Sequence, residues 1–245
     1  MSMPTRPRDR ADLANLGKVA CFMAIGLLLS VYVVEYPKDS LVARLVSYPR
    51  ILTLASQHLA IVAISCGLAI LTAVPAGILL TRPSLKRWAP RVVSLVAIGQ
   101  TVPSLAIIAL SVGMLGIGAR TAIMAMWIYS LLPILNNTLV GLDQVDPVIA
   151  EAAHGMGMTL SHVFLKVELP LAMPMILAGI RTAVTINIGS AILAAFVGGG
   201  GLGNLIIAGN NISRYQVLVL GAALPVLMAL SADAFFEMLE SRTRR

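Results

Sequence analysis

Residues 171–197 read LAMPMILAGIRTAVTINIGSAILAAFV, 27 residues holding a single charge, Arg181. At about 1.5 Å of rise per residue, a helix needs roughly 20 apolar residues to cross a hydrocarbon core about 30 Å thick. This stretch is long enough to span a bilayer. Comparable runs lie on either side of it, at about residues 16–34, 56–80, 92–112, 121–142 and 216–237. The chain as a whole is 58% hydrophobic and 12% charged, against roughly 45–50% and about 25% for a soluble domain. Too little polar surface is available to cover a water-soluble globule, and neither disorder nor a collagen-like repeat tolerates so many aliphatic residues. The expectation is an all-α, polytopic membrane protein with about six transmembrane helices.

The net charge of +7 would suggest nucleic acid in a soluble protein. Here the basic residues fall almost wholly between the apolar runs, where they hold loops on the cytoplasmic side. With the N-terminus inside, twelve lie in inner segments and five in outer ones, Lys38, Arg44, Arg50, Arg120 and Arg214. That bias places both termini in the cytoplasm and calls for no nucleic-acid partner. The predicted organisation is a tail over 1–15, one transmembrane domain over 16–237 and a tail over 238–245. The first span follows Arg6, Arg8, Arg10 and Lys18 like a signal peptide, but Val33, Val34, Glu35 and Tyr36 offer no small-residue cleavage site, so it reads as retained. Cys21 and Cys66 both sit in apolar runs and read as packing residues.

Pro75, Pro103, Pro133, Pro174 and Pro225 each fall inside an apolar run. In lipid such breaks survive where a neighbouring helix or a cavity satisfies the freed carbonyls, which suggests a bundle around a pathway, with kinks for packing as the alternative. The uncharged polar residues Gln100, Thr101, Asn136, Asn137, Asn187 and Ser190 are candidates to line that pathway, or else to bond helix to helix. Arg181, in the inner half of its span, needs a polar partner or a route to phosphate; Asp233 and Glu237, one turn apart, are candidates.

Catalysis finds little material. The three histidines, His58, His154 and His162, make no serine triad with Ser190, and no HExxH helix exists for zinc. Gly198-Gly199-Gly200-Gly201-Leu202-Gly203 fits GxGxxG, but it follows a membrane span rather than joining a strand to a helix, and so reads as an outer turn where backbones approach closely. No GxxxxGK[ST] phosphate loop occurs. The expectation is no enzyme activity, no metal and no cofactor, with any ATPase on another polypeptide. The rival class is an ion-gradient carrier, yet such carriers place titratable groups at mid-membrane, and no acidic relay is visible.

Between the fourth and fifth runs lies 143–170, DQVDPVIAEAAHGMGMTLSHVFLKVELP. Asp146 followed by Pro147 reads as an N-cap with proline at the first helical position, and Val148, Ile149, Ala152 and Ala153 follow at helical spacing. Gly155 and Gly157 break that helix. Thr159 or Ser161 can cap a second one, with Leu160, Val163, Phe164 and Val167 as its apolar stripe and Pro170 as its stop. The reading is a helix, glycine bend and helix on the inner side.

Glu151-Ala152-Ala153, three residues, Gly157, nine residues, then Val167-Glu168-Leu169-Pro170 resembles the EAA motif of membrane subunits in ABC importers, EAA-x3-G-x9-I-x-LP, with Val167 in place of isoleucine. Further likeness runs over roughly 92–237, including GQTVPSLA (99–106) and IYSLLPILNNTLVGL (128–142), and is similar to the osmoprotectant branch that handles glycine betaine, choline and carnitine. Methionine and other small-solute importers share parts of it. The resemblance implies a type I importer permease fold, with Glu151, Ala152, Ala153, Gly157, Val167, Leu169 and Pro170 coupling to an ABC ATPase subunit. It also implies a bacterial inner-membrane location, with a second permease subunit, identical or homologous, and an extracytoplasmic solute-binding protein as partners.

Overall fold

The computed structural model describes residues 7–243, with side chains from Asp12 onward. Arg6, Arg8, Arg10, Arg244 and Arg245 of the charge argument lie outside the described side chains. Helix α1 covers Pro7–Glu35, α2 Ser40–Leu45, α3 Tyr48–Leu80, α4 Ala89–Thr101, α5 Ser104–Leu115 and α6 Ala119–Asp143. Two short helices, α7 (Pro147–Gly155) and α8 (Leu160–Val163), precede α9 (Leu169–Ser190), α10 (Gly203–Asn211) and α11 (Tyr215–Thr243). Among the described residues, five helical stretches are long and apolar enough to cross a membrane, or six if α4 and α5 form one broken span. Helix α1 begins at Pro7 and α11 continues to Thr243, so helix occupies 7–15 and 238–243, parts of the segments read as tails.

The third run differs from expectation. Instead of one helix over 92–112, α4 and α5 meet at 96° around Val102 and Pro103. Pro103 has no N–H and forces the preceding residue out of the α region; Val102 sits at φ −76°, ψ 130°. The other four prolines remain inside α3, α6, α9 and α11. At Pro133 the compensation is explicit. Its missing N–H frees the carbonyl of Tyr129, which accepts from Gln100 Nε2 at 2.8 Å, while the Tyr129 hydroxyl donates to the carbonyl of Val102. Tyr129 thereby straps the break in the third span to α6.

Helices α3, α6 and α9 form the centre. Small residues let their backbones close up: a Cβ added at Gly179 would stand 2.8 Å from the Pro133 carbonyl oxygen and 2.7 Å from Asn137 Cβ. Ile61, Val62 and Cys66 of α3, Ala122 and Met126 of α6, and Ile188 of α9 pack as one cluster. Helix α1 lies against α11, and contacts at both ends make the pair antiparallel. At one end Asp12 accepts from Ser241 Oγ and Arg242 Nε, each at 3.1 Å; at the other, Gln216 bonds Lys38 N at 2.9 Å and the Tyr36 carbonyl at 2.8 Å. The starts of the first helix and the ends of the last therefore share one end of the bundle.

At the opposite end α9 tightens into a 3-10 stretch, Ala191–Val197, and then turns through Gly198, Gly200 and Gly201 at φ 68°, 84° and 89°. The close approach read from the glycine run is present: a Cβ at Gly200 would stand 2.4 Å from Gln57 Oε1. On the same end Asp39 caps α2, accepting from Leu41 N and Val42 N, and pairs with Arg214 Nε at 2.5 Å. The Val42 backbone bond, followed by the Arg214 guanidinium, holds the Asp39 carboxyl below its ordinary range.

Candidate functional site

The hairpin is built from local rules. Asp146 Oδ1 accepts from Val148 N at 2.9 Å, and Pro147 opens α7 where a missing N–H costs nothing. The helix closes with a left-handed cap. Gly157 N donates to His154 O at 2.9 Å and Met158 N to Ala153 O at 3.2 Å, which is the Schellman pairing, with Gly157 in the left-handed position at φ 85°. Thr159 Oγ1 then accepts from His162 N to start α8.

One expectation about this segment fails. Pro170 does not stop the second limb, which runs on through a π turn, Phe164–Glu168, into α9. Leu169 N bonds back to Phe164 O, five residues away. That wide turn lets Pro170 enter in the first turn of α9, where its missing donor is tolerated. The return limb and the fifth span are one continuous helical path, so a displacement of the hairpin has a direct route into the span.

Among the motif residues, Glu151, Ala152 and Gly157 are exposed, Val167 and Leu169 are half-buried, and Pro170 is exposed. Ala153 is 3% exposed and packs inside the hairpin. Sequence alone did not separate the two alanines. Around the exposed positions the hairpin presents large apolar side chains to its surroundings: Val148 at 67%, Met156 at 77% and Leu160 at 78% exposure. Its root is anchored, with Phe164 and Leu169 packed against Leu142, Ala172 and Ile176. Arg242 and Thr243 share a cavity with Leu165, Leu169 and Pro170, which puts the hairpin at the same end of the bundle as the start of α1 and the end of α11.

The six uncharged polar candidates separate. Thr101 and Asn136 are exposed, and Gln100, Asn137 and Ser190 are half-buried. Gln100 is engaged with the carbonyl that Pro133 frees, and Asn137 Nδ2 donates to the Pro133 carbonyl at 2.8 Å. Asn187 is fully buried and donates to Ser65 Oγ, Cys66 Sγ and Ser130 Oγ at 3.1, 3.2 and 2.7 Å. It joins α3, α6 and α9 inside one chain, which is the packing alternative. Arg181 has the partner sought for it: Nε and Nη2 reach the two carboxylate oxygens of Asp233 at 2.5 and 2.7 Å, with Glu240 at 3.6 Å and Glu237 at 3.9 Å. Glu240 was not foreseen, although it lies seven residues beyond Asp233 on the same helix face.

A bundle of broken and proline-bearing spans with an anchored, apolar-surfaced hairpin at one end defines the membrane-spanning component of a transporter. The chain belongs to the family described as binding-protein-dependent transport system inner membrane component, which matches residues 73–245. It is 41% identical over 211 residues to the osmoprotectant import permease protein OsmY of Salmonella typhimurium, covering 86% of this chain and 88% of that protein. It is 42% identical over 186 residues to the choline transport system permease protein OpuBB of Bacillus subtilis, covering 76% and 85%. Its identity to the carnitine transport permease protein OpuCB of Listeria monocytogenes is 44% over 187 residues, covering 76% and 84%. Among solved structures, an inward-facing form of the MetNI methionine ABC transporter superposes with a TM-score of 0.71 over 81% of this chain and all of that one, at 21% identity. That likeness establishes the fold as the type I importer permease fold.

Proposed function

We propose that this chain carries a small quaternary-amine osmoprotectant, such as glycine betaine, choline or carnitine, into the cell, with α7 and α8 docking on a separate ABC ATPase. The observation that carries the reading is the hairpin: its bend is fixed by Gly157, its root is packed, and its apolar residues stand uncovered at the end that holds the start of α1 and the end of α11. Exposed Val148, Met156 and Leu160 beside Glu151 and Ala152 suit an amphipathic helix seated in a partner's groove. The helical path through 164–168 would pass its movement to α9. The osmoprotectant, choline and carnitine relatives support the solute class.

Selectivity would rest with an extracytoplasmic binding protein. Two relatives in Salmonella typhimurium, at 41% and 40% identity, support a second, homologous permease beside this one. In this reading both termini, 81–91 and 143–170 face the cytoplasm and 198–215 faces outward. The test is affinity purification from detergent with identification of the co-purifying chains, combined with impermeant thiol labelling of intact cells. An ATPase should co-purify, and a cysteine introduced at Asn210 should label while one at Ser84 does not. Absence of any ATPase, or the reverse labelling, would overturn the reading.

A further inference from the structure

The loop between α3 and α4 grips both roots of the hairpin. Arg82, two residues past the end of α3, donates from Nη2 to Glu168 Oε2 at 2.9 Å, and its guanidinium lies 4.6 Å from the centre of the Phe164 ring. Lys86 Nζ pairs with Asp143 Oδ1 at 2.7 Å, at the last residue of α6. The two pairs are unequal. Arg82 and Glu168 are 36% and 24% exposed at the side chain, whereas Lys86 and Asp143 are 59% and 48% exposed. An exposed lysine pair is loosely held and screened, while a planar guanidinium held between a ring face and a carboxylate is fixed in both position and orientation. The Arg82 backbone is fixed too: its N–H donates to Leu79 O, and its carbonyl accepts from Leu85 N and Lys86 N.

From that clasp α3 runs 33 residues to the other end of the bundle. There Gln57 Oε1 accepts from Gly201 N at 3.1 Å, and His58, fully buried, bonds the Ile188 carbonyl through Nε2 at 2.9 Å. A Cβ at Gly201 would stand 3.3 Å from His58 Nδ1, so the glycine turn rests directly on α3. One helix is therefore fastened to the hairpin at one end and to the glycine turn and the end of α9 at the other. Thr53, Gln57, Gly200 and Asn204 line a polar cavity of about 680 Å³ at that far end.

We propose that Arg82 is a positioning residue of the coupling machinery, clasping the hairpin's return limb to α3 so that hairpin movement reaches the glycine turn and the polar cavity beside it. This rests on the reading of 147–168 as the ATPase-docking hairpin. Helix α3 transmits because it continues as one helix through Pro75 and is tied at both ends. Arg82 acts through Glu168 and Phe164, the two residues its guanidinium meets on the return limb.

The test uses the complex with its ATPase in proteoliposomes, with Cys21 and Cys66 replaced by serine and one cysteine introduced at Thr53. The readout is the rate of maleimide labelling with and without ATP and vanadate, alongside ATP hydrolysis and the amount of bound ATPase. Nucleotide should change labelling at least threefold in the parent. Arg82→Gln should abolish that change while bound ATPase and hydrolysis persist. Arg82→Lys, which keeps the charge but not the planar stack, should retain part of it, and Lys86→Gln all of it. The paired exchange Arg82→Glu with Glu168→Arg should restore part of the response. A full nucleotide response in Arg82→Gln would overturn the proposal, as would fewer complexes each responding normally, since that is what a purely structural clasp gives. No nucleotide response in the parent would overturn it as well. If Arg82→Gln does not assemble, Arg82→Lys and Glu168→Gln decide in the same way. Ala152→Asp separates the two levels: if it keeps both ATPase binding and the response, the docking reading falls, whereas a silent Arg82→Gln beside a defective Ala152→Asp removes the positioning role alone.

Discussion

Replacing Gly157 by valine isolates the bend of the hairpin from everything else. No heavy atom lies within 4 Å of a Cβ built at Gly157, so the substitution meets no wall and its whole effect is conformational. At φ 85° a β-branched residue is strained by roughly 1–3 kcal/mol. The alternative is to relax to negative φ, which gives up the two backbone bonds from Gly157 N and Met158 N that close α7. A strain of that size lowers the population of the docking-competent bend by roughly five- to 150-fold. None of the strain falls on the spans, so the protein should reach the membrane at near-normal level. Gly155→Ala is the control, since that glycine also has open space around it but lies in helix without positive φ, and alanine there should be neutral or slightly stabilising. The assay is uptake per molecule and ATP hydrolysed per solute, with membrane abundance from quantitative blotting. Ala152→Asp, on the exposed side of α7, should reproduce the loss, whereas Ala153→Asp should lower abundance, because it puts a charge inside the hairpin. Normal uptake per molecule in both Gly157→Val and Ala152→Asp would refute the coupling role.

Arg181→Leu removes the guanidinium that bonds both carboxylate oxygens of Asp233; both partners are partly exposed, so the expected loss is about 1–3 kcal/mol of stability in detergent. The double replacement Arg181→Leu with Asp233→Leu should recover much of it, and equal melting of single and double variants would refute the pairing. Asn187→Ala should cost about 1–3 kcal/mol through unpartnered groups and a small void, and a cysteine at 187 should resist aqueous thiol reagents in every nucleotide state; labelling there would return Asn187 to the pathway. Because the folded carboxyl of Asp39 lies below its ordinary value of 3.8, its contribution is complete above that value and fades as pH falls through the lower folded one. Asp39→Asn should therefore lower Tm by a constant amount between about pH 8 and pH 5 and by less below pH 3.8; a difference that fades already between pH 6 and pH 5 would contradict that direction.

Span number and the hairpin were legible because both rest on short-range rules. Apolar length sets the spans, while Asp146-Pro147, Gly157 and Thr159 set the caps. Two errors came from proline read locally. At Pro103 the residue before proline turned the chain by 96°, where the apolar pattern alone predicts one span. At Pro170 a π turn absorbed the missing donor that the pattern predicts as a stop. The Arg181 pair with Asp233 was within reach because only a few charges occur inside the runs, so candidates were few. Arg82 with Glu168, Gln100 with Tyr129 and Asp39 with Arg214 were not, since each joins residues 29 or more positions apart across helices whose mutual rotation no single-chain period encodes. For Gln100 a partial signal existed: Pro133 announces that the Tyr129 carbonyl is free, but not which side chain answers it.

The central claim is that this chain, with a separate ATPase, moves a quaternary amine at the expense of ATP. The direct measurement is labelled glycine betaine accumulation in proteoliposomes holding the purified complex and its binding protein, with ion gradients collapsed by ionophores. Accumulation that needs ATP, persists without gradients and disappears in Gly157→Val is the predicted result. Accumulation that follows an imposed proton or sodium gradient, with the chain alone and no ATPase present, would contradict the account.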